Sequence, residues 1–300
     1  MQSSETHPSD QAQLKQDAKW SLASPPLIGE THDGFPNASW FQNLQIVNPQ
    51  PIWPAPEDWS RFRLGVQFER LWHRAIEGLA DYELVAHNLQ VHDGERTLGE
   101  FDALVRYADQ LEHWEFAVKF YLGTGDLSES HNWFGPNPQD RLDLKLAHMQ
   151  LHQMQLGNTP AGRKTVLSCA AQDIDSTRGI MKGRLFYPLL SEAEMGKRSP
   201  QAYPACVNPD HLSGWWLPIE AFLSRFSGLN LRFRTLEKRH WLAPLARSVC
   251  SQCLSAEEYL AQLTNENEHY AHAIAVIDSD GNELSRGFLV KPAWFAATGY

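Results

Sequence analysis

The chain has 300 residues, 42% hydrophobic and 21% charged, which are the proportions of an ordinary globular protein with room for one large domain or two small ones. No apolar stretch reaches the length that spans a bilayer, which argues against a membrane protein, and four cysteines (Cys169, Cys206, Cys250, Cys253) are too few for a disulfide scaffold. A net charge of −10 argues against nucleic-acid binding through the whole surface, so such a ligand would need a local basic groove.

The opening MQSSETHPSDQAQLKQD has neither a basic start nor an apolar run, so the reading is a cytoplasmic chain whose residues 1 to 18 are polar and mobile. Turn and breaker residues follow, and the proline-rich NPQPIWPAPEDW leads into a helix from Trp59 to Leu79. There Leu64, Phe68, Leu71, Trp72, Ala75 and Leu79 recur at helical spacing. Three strands are expected next: Tyr82 to Val91, Leu98 to Val105 and Leu111 to Leu122. The third is the clearest. Its even positions Trp114, Phe116, Val118, Phe120 and Leu122 are all apolar, while its odd positions run His113, Glu115, Ala117, Lys119, Tyr121. That period of two predicts one buried face and one polar face.

A second helix is expected from Asp140 to Leu156, with Leu142, Leu146, Met149 and Leu156 inward. KTVLSCAA and GRLFYPL read as strands, a helix as Ala256 to Leu263, and AIAVIDSDGNELSRGFLV as a hairpin. No repeat of fixed period is present. The order of elements predicts a mixed α/β sheet flanked by helices. Three segments suggest themselves: residues 1–40 as a polar tail and arm, 41–199 as the core, and 200–300 as an α+β extension or part of the same domain.

The chemistry concentrates on the second and third strands. Glu100 and Asp102 are two apart and share a face, and Glu115 and Lys119 share the polar face of the next strand. The short VRYADQ connection suits an antiparallel hairpin. Carboxylates beside a lysine suit metal-assisted phosphodiester cleavage, in which acids hold Mg²⁺ (or Mn²⁺) and the lysine offsets transition-state charge. Two registers are open. A turn centred on Ala108 and Asp109 sets Asp102 opposite Glu115 and leaves Lys119 remote, since Glu115 and Lys119 lie roughly 13 Å apart at ~3.3 Å per residue. A slip by two residues sets Asp102 opposite Ala117 and Lys119 opposite Glu100; a bulge near Ala117 would reconcile the two.

A helix bearing Glu69, then GEFDALV, then HWEFAVKFYLG resembles the PD-(D/E)XK nuclease superfamily. RLGVQFERLWH, FGPNPQDRLDLKLAHM, LASPPL and GWWLP resemble more closely a bacterial family of uncharacterised proteins placed within it. The resemblance implies a restriction-endonuclease-like fold and, by analogy, a Mg²⁺- or Mn²⁺-dependent nuclease acting on DNA or RNA. By position Asp102 matches the motif's first carboxylate and Lys119 its lysine, while Ala117 stands where the second acid belongs. Glu115 and Glu69 are then the candidate acids that complete the metal and catalytic set. The competing reading is a nuclease fold that has lost catalysis and serves as a binding or scaffolding module.

Other signals are weaker. Cys250-Ser-Gln-Cys253 is half a zinc site, with Cys206 and His211 the nearest candidates for the other half. His148 and His152 flank Met149, where a zinc protease motif needs glutamate. Trp215, Trp216 and Trp241 read as packing residues. The basic clusters Arg61, Arg63, Arg70, Arg74 and Arg232, Arg234, Lys238, Arg239, with Arg141 and Lys145, read as solvated faces unless a shared groove joins them to Asp102.

Overall fold

The computed structural model of the chain describes residues 8–44, 63–189, 202–249, 253–263 and 269–299. In chain order these form helices α1 (Pro8–Ala23), α2 (Ala38–Gln42) and α3 (Leu64–Gly78), then strands β1 (Tyr82–Asp93), β2 (Arg96–Tyr107), β3 (Gln110–Gly123) and β4 (Trp133–Phe134). Helices α4 (Leu142–His148) and α5 (Pro160–Ala170) precede β5 (Ser176–Pro188) and β6 (Leu212–Pro218). The remainder is α6 (Phe222–Phe226), β7 (Arg232–Thr235), α7 (Ala256–Gln262), β8 (His272–Ile277), β9 (Glu283–Val290) and α8 (Pro292–Thr298). The strands join one mixed sheet in the order β1-β2-β3-β5-β6-β9-β8-β7, with β4 also pairing β3. No helix among the described residues is long and apolar enough to cross a membrane.

Alternation along β3 sets the layers. Trp114, Phe116, Phe120 and Leu122 pack under Phe68, Leu71, Trp72 and Ile76 of α3 and under Leu14 and Ala18 of α1. The opposite face is covered too: Ala117 and Tyr121 meet Leu142, Leu146 and Met149. The expected open polar face is therefore closed, with His113, Glu115 and Tyr121 fully buried and Lys119 half-buried. At about 1.5–3 kcal/mol per large apolar side chain, two such faces outweigh the cost of enclosing a few polar groups.

Three further expectations are corrected. Residues from Pro8 onward form α1 rather than a mobile tail, because Gln13 and Asp17 are buried and bonded to Ala246 N and Ala243 N respectively. KTVLSCAA lies mostly in α5, where Thr159 caps the first turn by accepting from Gly162 N and Pro160 fixes the start. The second helix begins at Leu142 and passes after His148 into a π-turn, Met149–Gln153, though Leu142, Leu146, Met149 and Leu156 are all buried as expected. The proposed helix start at Trp59, with Arg61, lies outside the described residues, as do Cys250 and its two followers.

Candidate functional site

The β2–β3 hairpin turns on Ala108 and Asp109, with Ala108 at φ +52°. Tyr107 pairs Gln110 and Ala103 pairs Trp114, so the next position in that register sets Asp102 against Glu115. This is the first of the two registers. β3 pairs β5 without interruption from Glu112 to Leu122, so no bulge at Ala117 draws Lys119 inward.

The ladder stops at Ala103–Trp114, and β2 leaves β3 there. Both orphaned backbone groups are satisfied locally, as buried polar groups must be. The Asp102 carboxylate accepts from Phe116 N at 2.8 Å, and the Asp102 carbonyl accepts from His73 Nε2 of α3 at 2.9 Å. Burial lowers the His73 pKa to about 4, so its ring is neutral and Nε2 must carry the proton to serve that carbonyl.

Asp102 and Glu115 are both buried, and their carboxyl groups are hydrogen-bonded to each other. Burial raises both acids, and the negative neighbour raises Asp102 further. Glu115 Oε1 accepts from His113 Nε2 at 2.8 Å and Oε2 from Gln153 Nε2 at 2.8 Å. His113 is itself held neutral, its pKa lowered to about 4 by burial. Glu69 stands near enough to the pair that burial, then Asp102, Glu100 and Glu115, push its pKa to about 8. Its Oε1 lies 3.9 Å from where a side chain on Gly65 would begin, so the bare face of that turn leaves the carboxylate room. Glu100 is tied instead to Asn88 Nδ2 at 3.0 Å.

Lys119 does not join the acids. Its Nζ donates to Asp140 Oδ2 at 2.6 Å, and Tyr121 OH donates to Asp140 Oδ1 at 3.3 Å. The cation facing the acids is Lys145 of α4, whose charge acts on Glu69 and Glu115 and which in turn feels Asp102 and Lys119. Lys145 Nζ donates to Gln153 Oε1 at 2.8 Å, and Gln153 passes the contact to Glu115. The π-turn supplies this geometry by adding a residue to the turn that carries Gln153. Sequence reasoning placed Lys145 only among the basic residues and passed over Asp140 and Gln153. The signal available was DxxxxK spacing after the glycine-proline loop, which periodicity alone does not link to β3.

Could these residues hold a divalent ion? The donors are all carboxylate oxygens, as Mg²⁺ and Mn²⁺ prefer, and a buried acid pair with raised pKa values gains from a cation that replaces its protons. Among the described residues, no three His, Cys, Asp or Glu side chains are arranged to hold a metal between them. Asp102 and Glu115 supply two carboxylates, and Mg²⁺ commonly uses one or two acids with water and substrate oxygens. The zinc alternative gains nothing: His211 is bonded to Tyr187 OH at 2.8 Å. His148 and His152 are exposed, and Trp215 and Trp216 are buried packing residues.

A groove of about 1020 Å³ is lined by β3 at Val118, Lys119 and Phe120, by Arg63 and Leu64 at the start of α3, by Asp140, and by Arg234, Lys238 and Trp241 from the C-terminal third. Lys119 and Asp140 line it, whereas Asp102 and Glu115 do not.

Compared with known proteins, residues 16–290 match the model of a family described as a domain of unknown function, DUF1853. No curated protein and no solved structure matches the chain.

Proposed function

The chain belongs to the DUF1853 family, and for it we propose a divalent-metal-dependent hydrolase of nucleic-acid phosphodiesters built on a restriction-endonuclease-like core. The observation that carries this reading is the buried, mutually bonded pair Asp102–Glu115, placed where β2 and β3 part and faced by Glu69 and Lys145. Supporting the core assignment, a helix leads into three antiparallel strands, and after intervening helices β5 joins β3 in parallel. Glu115 takes the part of the acid missing at Ala117, because this register brings it opposite Asp102. Asp102 and Glu115 would hold the ion, with Glu69 beside them. When bound, Mg²⁺ or Mn²⁺ supplies stabilisation of negative charge on the phosphoryl oxygens. Lys145, fixed by Gln153, adds positive charge on the same face and takes the role that Lys119 has in the motif. His113 and Gln153 orient Glu115, and His73 fixes the Asp102 backbone.

The test is calorimetry with Mn²⁺ and Mg²⁺ on the wild type and Asp102→Asn, followed by cleavage assays on labelled DNA and RNA. Binding by the wild type alone, with cleavage lost by roughly 10²–10⁴-fold in Lys145→Ala, is the expected result. If the wild type binds neither ion at millimolar concentration, even with nucleic acid present, the enzyme gives way to the binding or scaffolding reading.

A further inference from the structure

We propose that the groove lined by Lys119 and the C-terminal third is a binding track for one strand of nucleic acid, holding the phosphate backbone along Lys119. This deepens the phosphodiester reading above and rests on it for the identity of the ligand. The first observation is charge. In a chain of net charge −10, the groove gathers Arg63, Lys119, Arg234 and Lys238 against two carboxylates, Asp140 and Glu237. Lys119 and Asp140 neutralise each other within the lining at 2.6 Å and Glu237 is paired by Arg239 from outside it at 3.0 Å, so Arg63, Arg234 and Lys238 carry the positive charge of the groove. A concave positive surface on a repelling body selects a polyanion and focuses its field there.

The second observation is the end of α3. This 15-residue helix opens onto the groove at Arg63 and Leu64, and Arg63 makes no side-chain cap hydrogen bond to it. The positive end of the helix dipole therefore adds to the cations on the same wall. Rings complete the lining. Trp241 is fixed by its Nε1 donating to Leu236 O at 2.9 Å and by edge-on packing against Phe120 and Phe288, and Tyr270 stands half-buried nearby. Held rings beside a line of cations are what single strands use, because bases stack on the rings while phosphates meet the charges. A volume of about 1020 Å³ holds a few nucleotides of one strand and not a duplex.

The track also explains Lys119. Tied to Asp140, it lines the groove and its charge acts on Lys145. It guides the strand rather than taking part in the cleavage step.

Fluorescence anisotropy of a labelled 12-nucleotide oligothymidine, recorded in EDTA so that binding is read without cleavage, tests this. The full chain is compared with Arg63→Glu/Lys238→Glu and with the equally charged control Arg163→Glu/Lys164→Glu on α5. All should share the wild-type circular dichroism. The groove pair should weaken binding at least ten-fold and flatten the log K against log salt slope by about 0.7 per lost phosphate contact. The control pair should change affinity less than two-fold. Equal weakening by the two pairs, tighter binding of duplex than of single strand, or no binding by the wild type overturns the track. If the groove pair alone weakens binding while the wild type fails to bind metal, the track stands and the nuclease reading falls. If metal binds and the groove pair has no effect, the reverse holds.

Discussion

Glu69 holds its proton to about pH 8, against an ordinary 4.5, chiefly because α3 takes it partly out of water and then because Asp102, Glu100 and Glu115 repel its charge. The sign of the consequence follows from linkage. Between about pH 4.5 and pH 8 the folded chain keeps a proton that the unfolded chain releases, so the stability this group confers is full below that window and is lost as pH rises through it. Glu69→Gln removes the dependence. Its melting temperature should match the wild type near pH 4.5 and exceed it at pH 8.5, each kcal/mol being worth roughly 2–4 °C in a chain of this size. Saturating Mn²⁺ should then close the gap at pH 8.5, since binding to the native state alone restores stability to the wild type. A difference that stays flat across pH, or that Mn²⁺ leaves open, would show that Glu69 sits outside the cluster. The charged form of Glu69 thus costs stability at alkaline pH, through burial first and its acidic neighbours second.

The β3–β5 pair is the element on which the site stands, and its tightest point is Gly183, at φ +151° opposite Lys119. A Cβ there would meet the Lys119 carbonyl, so Gly183→Ala must push the strands apart at Lys119, four residues along β3 from Glu115. Urea denaturation should report a loss of roughly 2–4 kcal/mol, and metal affinity should fall in the same variant; an unchanged midpoint would mean that the strands can shift at no cost. This scale also separates what was legible in the sequence from what was not. β3 could be read because its alternation is strict over Trp114 to Leu122, while the short connection left two registers open, of which the turn at Ala108 and Asp109 selects the one that pairs Asp102 with Glu115. The buried odd face could not, since it is covered by α4, which is distant in sequence and whose contact with β3 no local pattern encodes. α5 was misread because KTVLSCAA has no clear period and its one strong signal is the Thr159-Pro160 start. Gln153 escaped notice because a π-turn breaks the 3.6-residue spacing that places residues on a helix face, and without Gln153 Lys145 read only as one of the basic residues.

At the scale of the whole molecule, the two halves of the chain share one interior. The core that holds Phe68 and Trp114 also holds Trp216, Phe288 and Trp294, and the sheet runs unbroken from β1 to β7. Polar ties cross between the halves as well. Trp216 Nε1 donates to Gly123 O at 2.9 Å, Trp294 Nε1 to Gly135 O at 3.2 Å, and Ala271 N to Pro136 O at 3.0 Å. Gln13 and Asp17 of α1 hold the backbone at Ala243 and Ala246, and Arg286 donates to the carbonyls of Trp241 and Ala243 while pairing with Glu283. Breaking either half would leave these donors and carbonyls buried without partners, at about 1–3 kcal/mol each, on top of the apolar surface exposed. The chain should therefore unfold as one unit. Urea transitions followed by tryptophan fluorescence and by far-ultraviolet circular dichroism should coincide, and amides of the β2–β3 and β8–β9 hairpins should exchange with the same opening free energy. Two separated midpoints, or slow exchange confined to one hairpin, would make the C-terminal third a domain of its own. Coincidence carries a functional consequence, because Arg234, Lys238 and Trp241 can wall the groove over Lys119 only if their third of the chain is folded onto the same sheet as Asp102 and Glu115.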